Sequence, residues 1–510
     1  MRALFAPIAL SACNPPAVDT ADTEAPIEAC QPVIQPVEIS WSACDVSSGS
    51  GDNAAECAWV DMPMFHCEPD DGRTLEVAVK RYRSSDDAPA QVWFLQGGPG
   101  GSGLDILQTM GSSIAGTGYD FYVIDHRGVG ESTRISCPDQ EWWGSDEGAA
   151  ITAEEAIACA PDLLAEWGET LEAITTTESA ADVAVLAEST RHEGQEVYLW
   201  GGSYGTYIGH RALQVAPETF DGAVLEGVVP PEFSFHDAAL FHESNAQKVL
   251  QDCAEDAGCA ARLGDDPWAF AVDVIDRVRA GTHCTDLNVA LDVRTTLLFS
   301  TYYRPWNEIL PALLYRLDRC SAQDRAAWAV ADGVVQGFVG GVVDWPLNWH
   351  VKLSELYSPA LPSAEELDAW ADDCHICFPR GGEVLDVIEA WPTYPRDGWY
   401  GQFAAYDGPL LLLQGELDPA SPPEKAQAMG EHFTGPNQHY LLFEHSAHNV
   451  RGGAPSSSGW DCGSWNYEQF MDDPTASLDS SCMGRLEPLD FDGDPSTNEY
   501  FLGTTDAWGD

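Results

Sequence analysis

The sequence predicts an α/β fold in which a mainly parallel central sheet carries an inserted helical cap. Short apolar runs of the type found in buried strands alternate with helical stretches in the first half of the chain and return near its end. Residues 228–407 break this rhythm, because they hold several amphipathic helical segments and many tryptophans but no clear buried strand. We therefore expect a cap inserted between two strands of the sheet.

The individual strands follow from two patterns. Residues 75–82 (LEVAVKRY) alternate as a half-buried strand does. Six other predicted strands are short apolar runs, at 92–96, 119–125, 197–200, 222–226, 410–414 and 440–443. Helical patterns at 180–191 and 204–215 separate some of these runs, and strands that alternate with helices favour a parallel sheet.

Composition divides the chain into five segments. Residues 1–13 resemble a secretion signal, because a minimal positive start and a short apolar run lead to small residues and Cys13, as in a bacterial lipobox. An ordinary secretory signal, with Cys13 free or paired, is the alternative. Residues 14–36, rich in Pro, Ala, Thr and acids, predict a flexible tether. The core is expected at 37–227 and 408–510, with the cap at 228–407 and a disulfide-bearing extension at the C-terminal end.

The charge balance limits the partners. The chain has 82 acidic and 24 basic residues among 510, a net charge of −58, and nucleic-acid binding needs a basic surface. The acidic excess is explained either by a solvated surface that maintains solubility or by adaptation to salty surroundings, where self-repulsion is screened. No later segment has the apolar length of a spanning helix, so we expect any membrane association to come from a lipid on Cys13.

Fifteen cysteines indicate an oxidising compartment, and the expected location is secreted or in the cell envelope. Without Cys13, fourteen remain for disulfides. Cys374 and Cys377 could form a redox or zinc site, but no second pair stands at zinc-ribbon spacing, which favours a structural bridge. The expected local pairs are Cys44/Cys57, Cys137/Cys159, Cys253/Cys259, Cys284/Cys320, Cys374/Cys377 and Cys462/Cys482.

The motif Gly201-Gly202-Ser203-Tyr204-Gly205 follows a predicted strand and begins a predicted helix. In that context G-x-S-x-G is typical of a nucleophile elbow, where a sharp turn exposes the serine hydroxyl. A serine hydroxyl is a poor nucleophile at neutral pH and needs a histidine base, which in turn needs a carboxylate. Ser203 is therefore the candidate nucleophile.

The acid and the base are expected after the last strands. Proteins with a nucleophile elbow of this kind carry their three catalytic residues, the catalytic triad, in the chain order serine, acid and histidine. Asp418 lies just past the strand at 410–414, and Glu416 is a weaker rival. Among the two histidines after the final strand, His448 is favoured over His445, because the longer loop lets it reach back to the serine. A metal site at His445-x-x-His448 lacks a convincing third ligand.

The glycine-rich segment 96–102 (QGGPGGS) follows an earlier strand. It predicts an oxyanion donor, the N–H of Gly98, beside the N–H of Tyr204. A phosphate loop is disfavoured, because the segment lacks the Gly-Lys-Ser/Thr ending.

GGPGGSG, YDFYVIDHRGVGES, GGSYGTY and LDPASP together resemble the prolyl and tripeptidyl aminopeptidase family of α/β-hydrolases, over about residues 41–449. The resemblance implies an α/β-hydrolase fold, a triad of Ser203, Asp418 and His448, and release of residues or short peptides from a free N-terminus, with no cofactor and no metal. Ser421 stands where relatives carry Thr or Ser and would brace the acid loop. Two positions depart from the pattern: Gln96 replaces a histidine, and Ser-Ala-His448-Asn replaces Gly-His-Gly.

If the substrate has a free N-terminus, a buried carboxylate cluster near the serine would bind its ammonium group. Glu226, at the end of a predicted strand, is the candidate. It could equally face the histidine as a spare acid or be a paired structural carboxylate. Four cap tryptophans could line a substrate pocket or belong to the core: Trp345, Trp349, Trp391 and Trp399. The alternative functions are a carboxylesterase or lipase with the same triad, because fold does not settle substrate, and a binding protein on an inactive hydrolase scaffold.

Overall fold

Nine strands form one sheet at the centre of the computed structural model, which describes residues 30–46, 49–107, 117–141, 150–341 and 343–510. The spatial order is β1-β2-β3-β5-β4-β6-β7-β8-β9. The strands are β1 (Ser42–Cys44), β2 (Ala55–Pro63), β3 (Thr74–Tyr82), β4 (Ala90–Leu95), β5 (Asp120–Ile124), β6 (Glu196–Gly202), β7 (Gly222–Glu226), β8 (Leu410–Gly415) and β9 (Gln438–Phe443).

The sheet has an antiparallel edge and a parallel remainder. Strands β1, β2, β3 and β5 pair antiparallel, and β5, β4, β6, β7, β8 and β9 pair parallel. All residues of β4 and β8 are buried, as expected for strands covered by helices on both faces. Each predicted strand is present, whereas the sequence did not predict β1 and β2.

Helices cover the sheet and form the insertion. Outside the insertion, the α-helices that the structure describes from end to end are α1 (Ala153–Trp167), α2 (Thr176–Thr190), α3 (Tyr204–Val215), α15 (Pro423–His432), α16 (Cys462–Asp472) and α17 (Pro495–Leu502). Short 3₁₀ turns occupy Pro69–Asp71, Gly168–Ala173, Pro217–Thr219 and Ser481–Arg485.

The chain between β7 and β8 is the predicted cap region. In the part of it that the structure describes, the α-helices are α4 (Phe235–Ala239), α5 (His242–Glu255), α6 (Ala257–Leu263), α7 (Pro267–Arg279), α8 (Val293–Phe299), α9 (Arg304–Asn307), α10 (Leu310–Arg319), α11 (Ala322–Gly341), α12 (Trp345–Glu355), α13 (Ala364–Asp373) and α14 (Glu383–Ala390). No strand lies among them.

Seven disulfides connect cysteines within the described ranges. The six predicted pairs are all formed, and Cys374–Cys377 is a disulfide as predicted. A seventh pair, Cys30–Cys67, was not predicted. This number of disulfides is consistent with an extracellular protein.

The tether prediction is wrong for its last residues. Cys30 is bonded to Cys67, and the Val33 N–H donates to the His66 carbonyl over 2.9 Å, so residues 30–36 are fixed to the core. The cause is tertiary bonding, which composition does not reveal. The predicted signal, Cys13 and the rest of the tether lie outside the described residues.

Within the described ranges, no single helix has the length and apolar character needed to cross a membrane. One bent pair, Ala322–Gly341 with Trp345–Glu355, meets that test only when its two helices are taken together.

The topology determines where polar loops meet. Since β6, β7, β8 and β9 are parallel neighbours, their carboxyl ends share one edge of the sheet. In open α/β sheets this edge is where ligands bind. The loops that carry Ser203, Asp418 and His448 all begin there.

Candidate active site

Ser203 occupies the sharp turn between β6 and α3. Its backbone has φ 55° and ψ −126°, a left-handed conformation that is unusual for a residue with a side chain. The Ser203 N–H donates to the Glu226 carbonyl over 2.9 Å, and the Thr206 N–H donates to the Ser203 carbonyl over 2.8 Å. These bonds anchor the turn to β7 and hold the serine side chain at the edge of the sheet.

Glycines make this turn possible because backbone packs directly against them. A Cβ on Gly205 would lie 1.9 Å from the Leu95 carbonyl oxygen, so α3 could not approach β4 with any larger residue. A Cβ on Gly97 would lie 2.7 Å from the Ser203 Cβ. The two glycine motifs therefore meet at the serine.

Asp418 lies in the loop after β8 and is completely buried. Its Oδ1 accepts from the N–H groups of Ala420 and Ser421 over 2.8 and 2.9 Å. Its Oδ2 accepts from the Ser421 hydroxyl over 2.7 Å and from Gln414 Nε2 over 3.1 Å. Ser421 braces the acid loop, as the family resemblance implied, and the carboxylate is fixed in one orientation.

His448 lies beside this carboxylate. Its Nδ1 is 2.8 Å from Asp418 Oδ2, which leaves Nε2 available as the basic nitrogen. Burial disfavours the charged imidazole, but the Asp418 carboxylate outweighs it, so the pKa of His448 is raised above its ordinary value. A Cβ on Gly227 would lie 2.9 Å from His448 Cε1, so β7 ends directly against the ring.

One cavity of about 220 Å³ is lined by Ser203, His448, Gly98 and Tyr204; we call it the serine cavity. Tyr204 is the first residue of α3, and an N–H at that position has no acceptor within its own helix. In the described part of the chain, the Gly98 N–H also donates to no protein group. Both N–H groups are thus available to a ligand oxygen.

Two further cavities adjoin the serine cavity, and all three share Val339 and Trp345. The side cavity, of about 150 Å³, is lined by aromatic residues of α4, α8 and α13 and by Lys352 and Arg380. The wide cavity, of about 840 Å³, is lined by residues that include Glu154 and Glu383. We call these three adjoining cavities the joined cavities, and together they are large enough for a short peptide.

Glu226 is outside these cavities. Its Oε1 accepts from the N–H groups of Val450 and Arg451 over 2.6 and 2.8 Å, and burial raises its pKa although the Arg451 charge opposes this. The carboxylate thus holds the backbone that follows His448. This geometry favours the structural role that the sequence left open and gives no support to binding of a substrate ammonium group.

The rival residues face elsewhere. His445 pairs with Asp252 over 2.9 Å, and Glu416 lines a separate surface cavity. The two histidines therefore bond to different carboxylates. Over the residues whose positions are described, no cluster of three or more His, Cys, Asp or Glu side chains is arranged to hold a metal ion.

The tryptophans divide between pocket and core. Trp345 lines the serine cavity and Trp349 the wide cavity. Trp391 is buried, with its Nε1 3.3 Å from His350 Nδ1, and Trp399 donates to the Cys30 carbonyl over 3.1 Å. Only the first two contact the joined cavities.

Cap residues that the sequence did not single out hold the site together. Asn245 donates to the Asp418 carbonyl over 2.7 Å, and the Tyr302 carbonyl accepts from the His448 N–H over 2.9 Å. Asn348 donates to the Pro99 carbonyl over 2.8 Å. No local motif marks these positions, so the sequence held no signal for them.

The chain is similar in sequence to known hydrolases. Residues 92–260 match the family model of the alpha/beta hydrolase fold. The chain is 31% identical over 468 residues to tripeptidyl aminopeptidase of Streptomyces coelicolor, with 81% of each chain covered. It is 28% identical over 262 residues to serine protease Hip1 of Mycobacterium tuberculosis, covering 47% of this chain and 49% of Hip1. It is 32% identical over 108 residues to carboxylesterase B of that organism, covering 20% of each chain.

Proposed function

The chain belongs to the α/β-hydrolase family that includes the Streptomyces tripeptidyl aminopeptidases, and we propose that it is a serine peptidase that releases short peptides from the free N-terminus of its substrates. The observation that carries the proposal is the arrangement of Ser203 and His448 on one cavity, with His448 bonded to the buried Asp418. The alignment over 81% of both chains supports the peptidase assignment.

In the proposed acylation step, His448 Nε2 takes the proton from Ser203 Oγ as the oxygen attacks the scissile carbonyl carbon. Asp418 keeps the proton on Nδ1 and stabilises the imidazolium that forms. The imidazolium then gives its proton to the leaving amine, and the acyl group remains on Ser203. Water activated by His448 hydrolyses this ester and restores the serine.

The oxyanion of each tetrahedral intermediate is proposed to accept from the N–H groups of Gly98 and Tyr204. Donors of this kind act on charge that develops in the transition state, and the loss of one typically costs about 2.7–4 kcal/mol. Asp125 supports the loop that carries Gly98, because its Oδ1 accepts from the Ser102 hydroxyl over 2.7 Å and the Leu104 N–H over 3.1 Å.

The positions of the carboxylates in the joined cavities favour release of a short peptide over release of a single residue. Among the described residues that line the serine cavity there is no Asp or Glu, whereas Glu154 and Glu383 line the wide cavity. Three extended residues span about 10 Å, and the wide cavity shares Val339 and Trp345 with the serine cavity. We therefore propose that a substrate places its ammonium group in the wide cavity and its scissile bond at Ser203. We propose that Glu154 and Glu383 attract that ammonium group.

A panel of p-nitroanilides tests this function. Ala-Ala-Ala-p-nitroanilide is expected to be cleaved with a higher kcat/KM than its N-acetylated form, than Ala-p-nitroanilide or than Pro-p-nitroanilide. Cleavage of short p-nitrophenyl esters without cleavage of any anilide would contradict the proposal and support the carboxylesterase alternative, to which the carboxylesterase B match also relates.

We also propose a secreted or cell-envelope location with a lipid on Cys13. The disulfides support an oxidising compartment. Intact-mass analysis of the mature protein from membranes is expected to give an N-terminal diacylglyceryl cysteine, and a soluble mature form without that mass would contradict the anchor.

A further inference from the structure

The lining of the serine cavity and the side cavity has an unexpected charge. The chain as a whole has 82 acidic and 24 basic residues, yet in the described chain neither cavity is lined by a carboxylate. Lys352 lines both cavities, and Arg380 lines the side cavity. Among the described residues, the space next to Ser203 is therefore lined by basic and not by acidic side chains, in a protein with a large acidic excess.

Lys352 lies on α12, and its side chain is partly buried. Its Nζ lies 4.2 Å from the centre of the Phe235 ring. Across the described ranges its ammonium group has no hydrogen bond and no carboxylate partner, whereas Lys248 pairs with Glu424 over 3.1 Å and Lys425 with Asp237 over 3.4 Å. Among the described residues, Lys352 thus differs from these two lysines in having no carboxylate partner for its ammonium group.

An ammonium group in such a place is destabilised. Burial lowers the pKa of Lys352 to about 7, and the positive charge of Arg380 acts in the same direction. The contact with Phe235 offsets only part of the lost hydration, because an aromatic ring attracts an ammonium group less strongly than water or a carboxylate does. A ligand carboxylate would supply the missing partner and favour the charged amine.

We propose that Lys352 binds a carboxylate of the substrate next to the scissile bond. This inference rests on the proposed peptidase function and adds a substrate class to it. Two sources share this chemistry: the side chain of a Glu or Asp residue near the scissile bond, and the free C-terminal carboxylate of a short peptide. The aromatic wall around Lys352 would exclude water from the ion pair and strengthen it.

The experiment compares charged and neutral substrates of equal size. Ala-Ala-Glu-p-nitroanilide against Ala-Ala-Gln-p-nitroanilide tests the side chain, and tetra-alanine against tetra-alanine amide tests the C-terminus. We expect the charged member of one pair to have a kcat/KM on the order of tenfold to a hundredfold higher, as for a hydrogen bond to a charged group. The pair whose charged member is cleaved faster identifies the source of the carboxylate.

Lys352→Gln is expected to abolish this preference, so that kcat/KM for the charged member of that pair falls on the order of tenfold to a hundredfold relative to the neutral member. Lys425→Gln is the matched control, because it removes a lysine ammonium near a phenylalanine ring outside these cavities, and it should keep the preference. Lys352→Arg should keep most of the preference for the charged substrate.

Equal rates for both members of each pair in the wild type, or a preference that survives in Lys352→Gln, would overturn the inference. If Lys352→Gln fails to fold, the inhibition constants of the products Ala-Ala-Glu and Ala-Ala-Gln are compared in the wild type. Equal constants would overturn the inference that Lys352 binds the side chain of a substrate Glu or Asp residue. Failure of the peptidase function itself is distinguishable, because then no neutral peptide substrate would be cleaved.

Discussion

Replacing Asp418 by Asn tests how the carboxylate controls His448, because the change keeps the size of the side chain and removes its charge. The Asn oxygen can keep the bonds from the Ala420 and Ser421 N–H groups, which Oδ1 accepts in the wild type. The Asn amide nitrogen would then occupy the position of Oδ2, 2.8 Å from His448 Nδ1. Since that nitrogen donates, Nδ1 must accept, and the ring proton moves to Nε2.

With the proton on Nε2, His448 cannot take the proton of Ser203. In a serine protease triad the same substitution lowers kcat by a factor of about 10⁴, which corresponds to about 5 kcal/mol of transition-state stabilisation. We expect a loss of this order. Asp418→Asn also brings two donors together, because Gln414 Nε2 donates to Oδ2 over 3.1 Å, so some loss of stability should accompany it.

The pH dependence adds a second readout. Activity needs neutral His448, so it falls as the pH drops through the raised pKa of this residue. Without the Asp418 charge, burial of the imidazole is no longer outweighed. The acid limb of kcat/KM is therefore expected at lower pH in Asp418→Asn.

The assay is kcat/KM for Ala-Ala-Ala-p-nitroanilide between pH 5 and pH 9, with thermal unfolding to verify the fold. Glu416→Gln is the matched control, because it neutralises the rival acid two residues away and should leave rate and pH limb unchanged. Wild-type rates in Asp418→Asn, or a loss in Glu416→Gln, would refute the assignment.

Further predictions concern the base, the oxyanion loop and Glu226. His448→Ala should lower kcat by about 10⁴ or more, and His445→Ala should change it less than about threefold; the reverse result would exchange their roles. Gly97→Ala puts a Cβ 2.7 Å from the Cβ of Ser203, and it should reduce kcat/KM by more than tenfold and the free energy of unfolding by about 1–3 kcal/mol. Gly333→Ala is the control, because open space surrounds Gly333, and it should leave the calorimetric stability and the activity intact. Glu226→Gln should move the acid limb to lower pH, because the Glu226 charge raises the pKa of His448; a KM increase confined to substrates with free amines would instead assign Glu226 to the ammonium group.

Local sequence patterns predicted the family, the fold class and the residues of the candidate site. The family and the α/β-hydrolase fold are confirmed, by the alignment over 81% of both chains and by the parallel part of the sheet. Ser203 and Gly205 could be found because a strand, a tight turn and a helix are consecutive in the chain. Asp418 could be found because it lies just past a buried strand, and Ser421 because the family resemblance marks its position. The bonds between them stay within three residues of the chain.

The unpredicted features depend on contacts between distant segments. Cys30 and Cys67 are 37 residues apart, and spacing does not fix such a pairing. Strand β2 mixes buried residues with exposed Trp59 and Asp61 and lies near the antiparallel edge, so it shows no continuous apolar run.

The polar contacts of the cap were also unpredicted, because they join segments that are distant in the chain. Asn245 is 173 residues from Asp418, and Asn348 is 249 residues from Pro99. Periodicity reports which face of a helix is buried and not what a polar side chain on that face will meet. The position of Lys352 beside the serine cavity could therefore be read only from the assembled fold.

The central claim is that Ser203 is the nucleophile, and active-site labelling tests it most directly. The wild type, treated with a fluorophosphonate, is expected to gain one adduct by intact mass, located on Ser203 by peptide mapping, with complete loss of peptide hydrolysis. Ser203→Ala should gain no adduct and show no turnover. A labelled residue other than Ser203, or undiminished hydrolysis in Ser203→Ala, would contradict the mechanism.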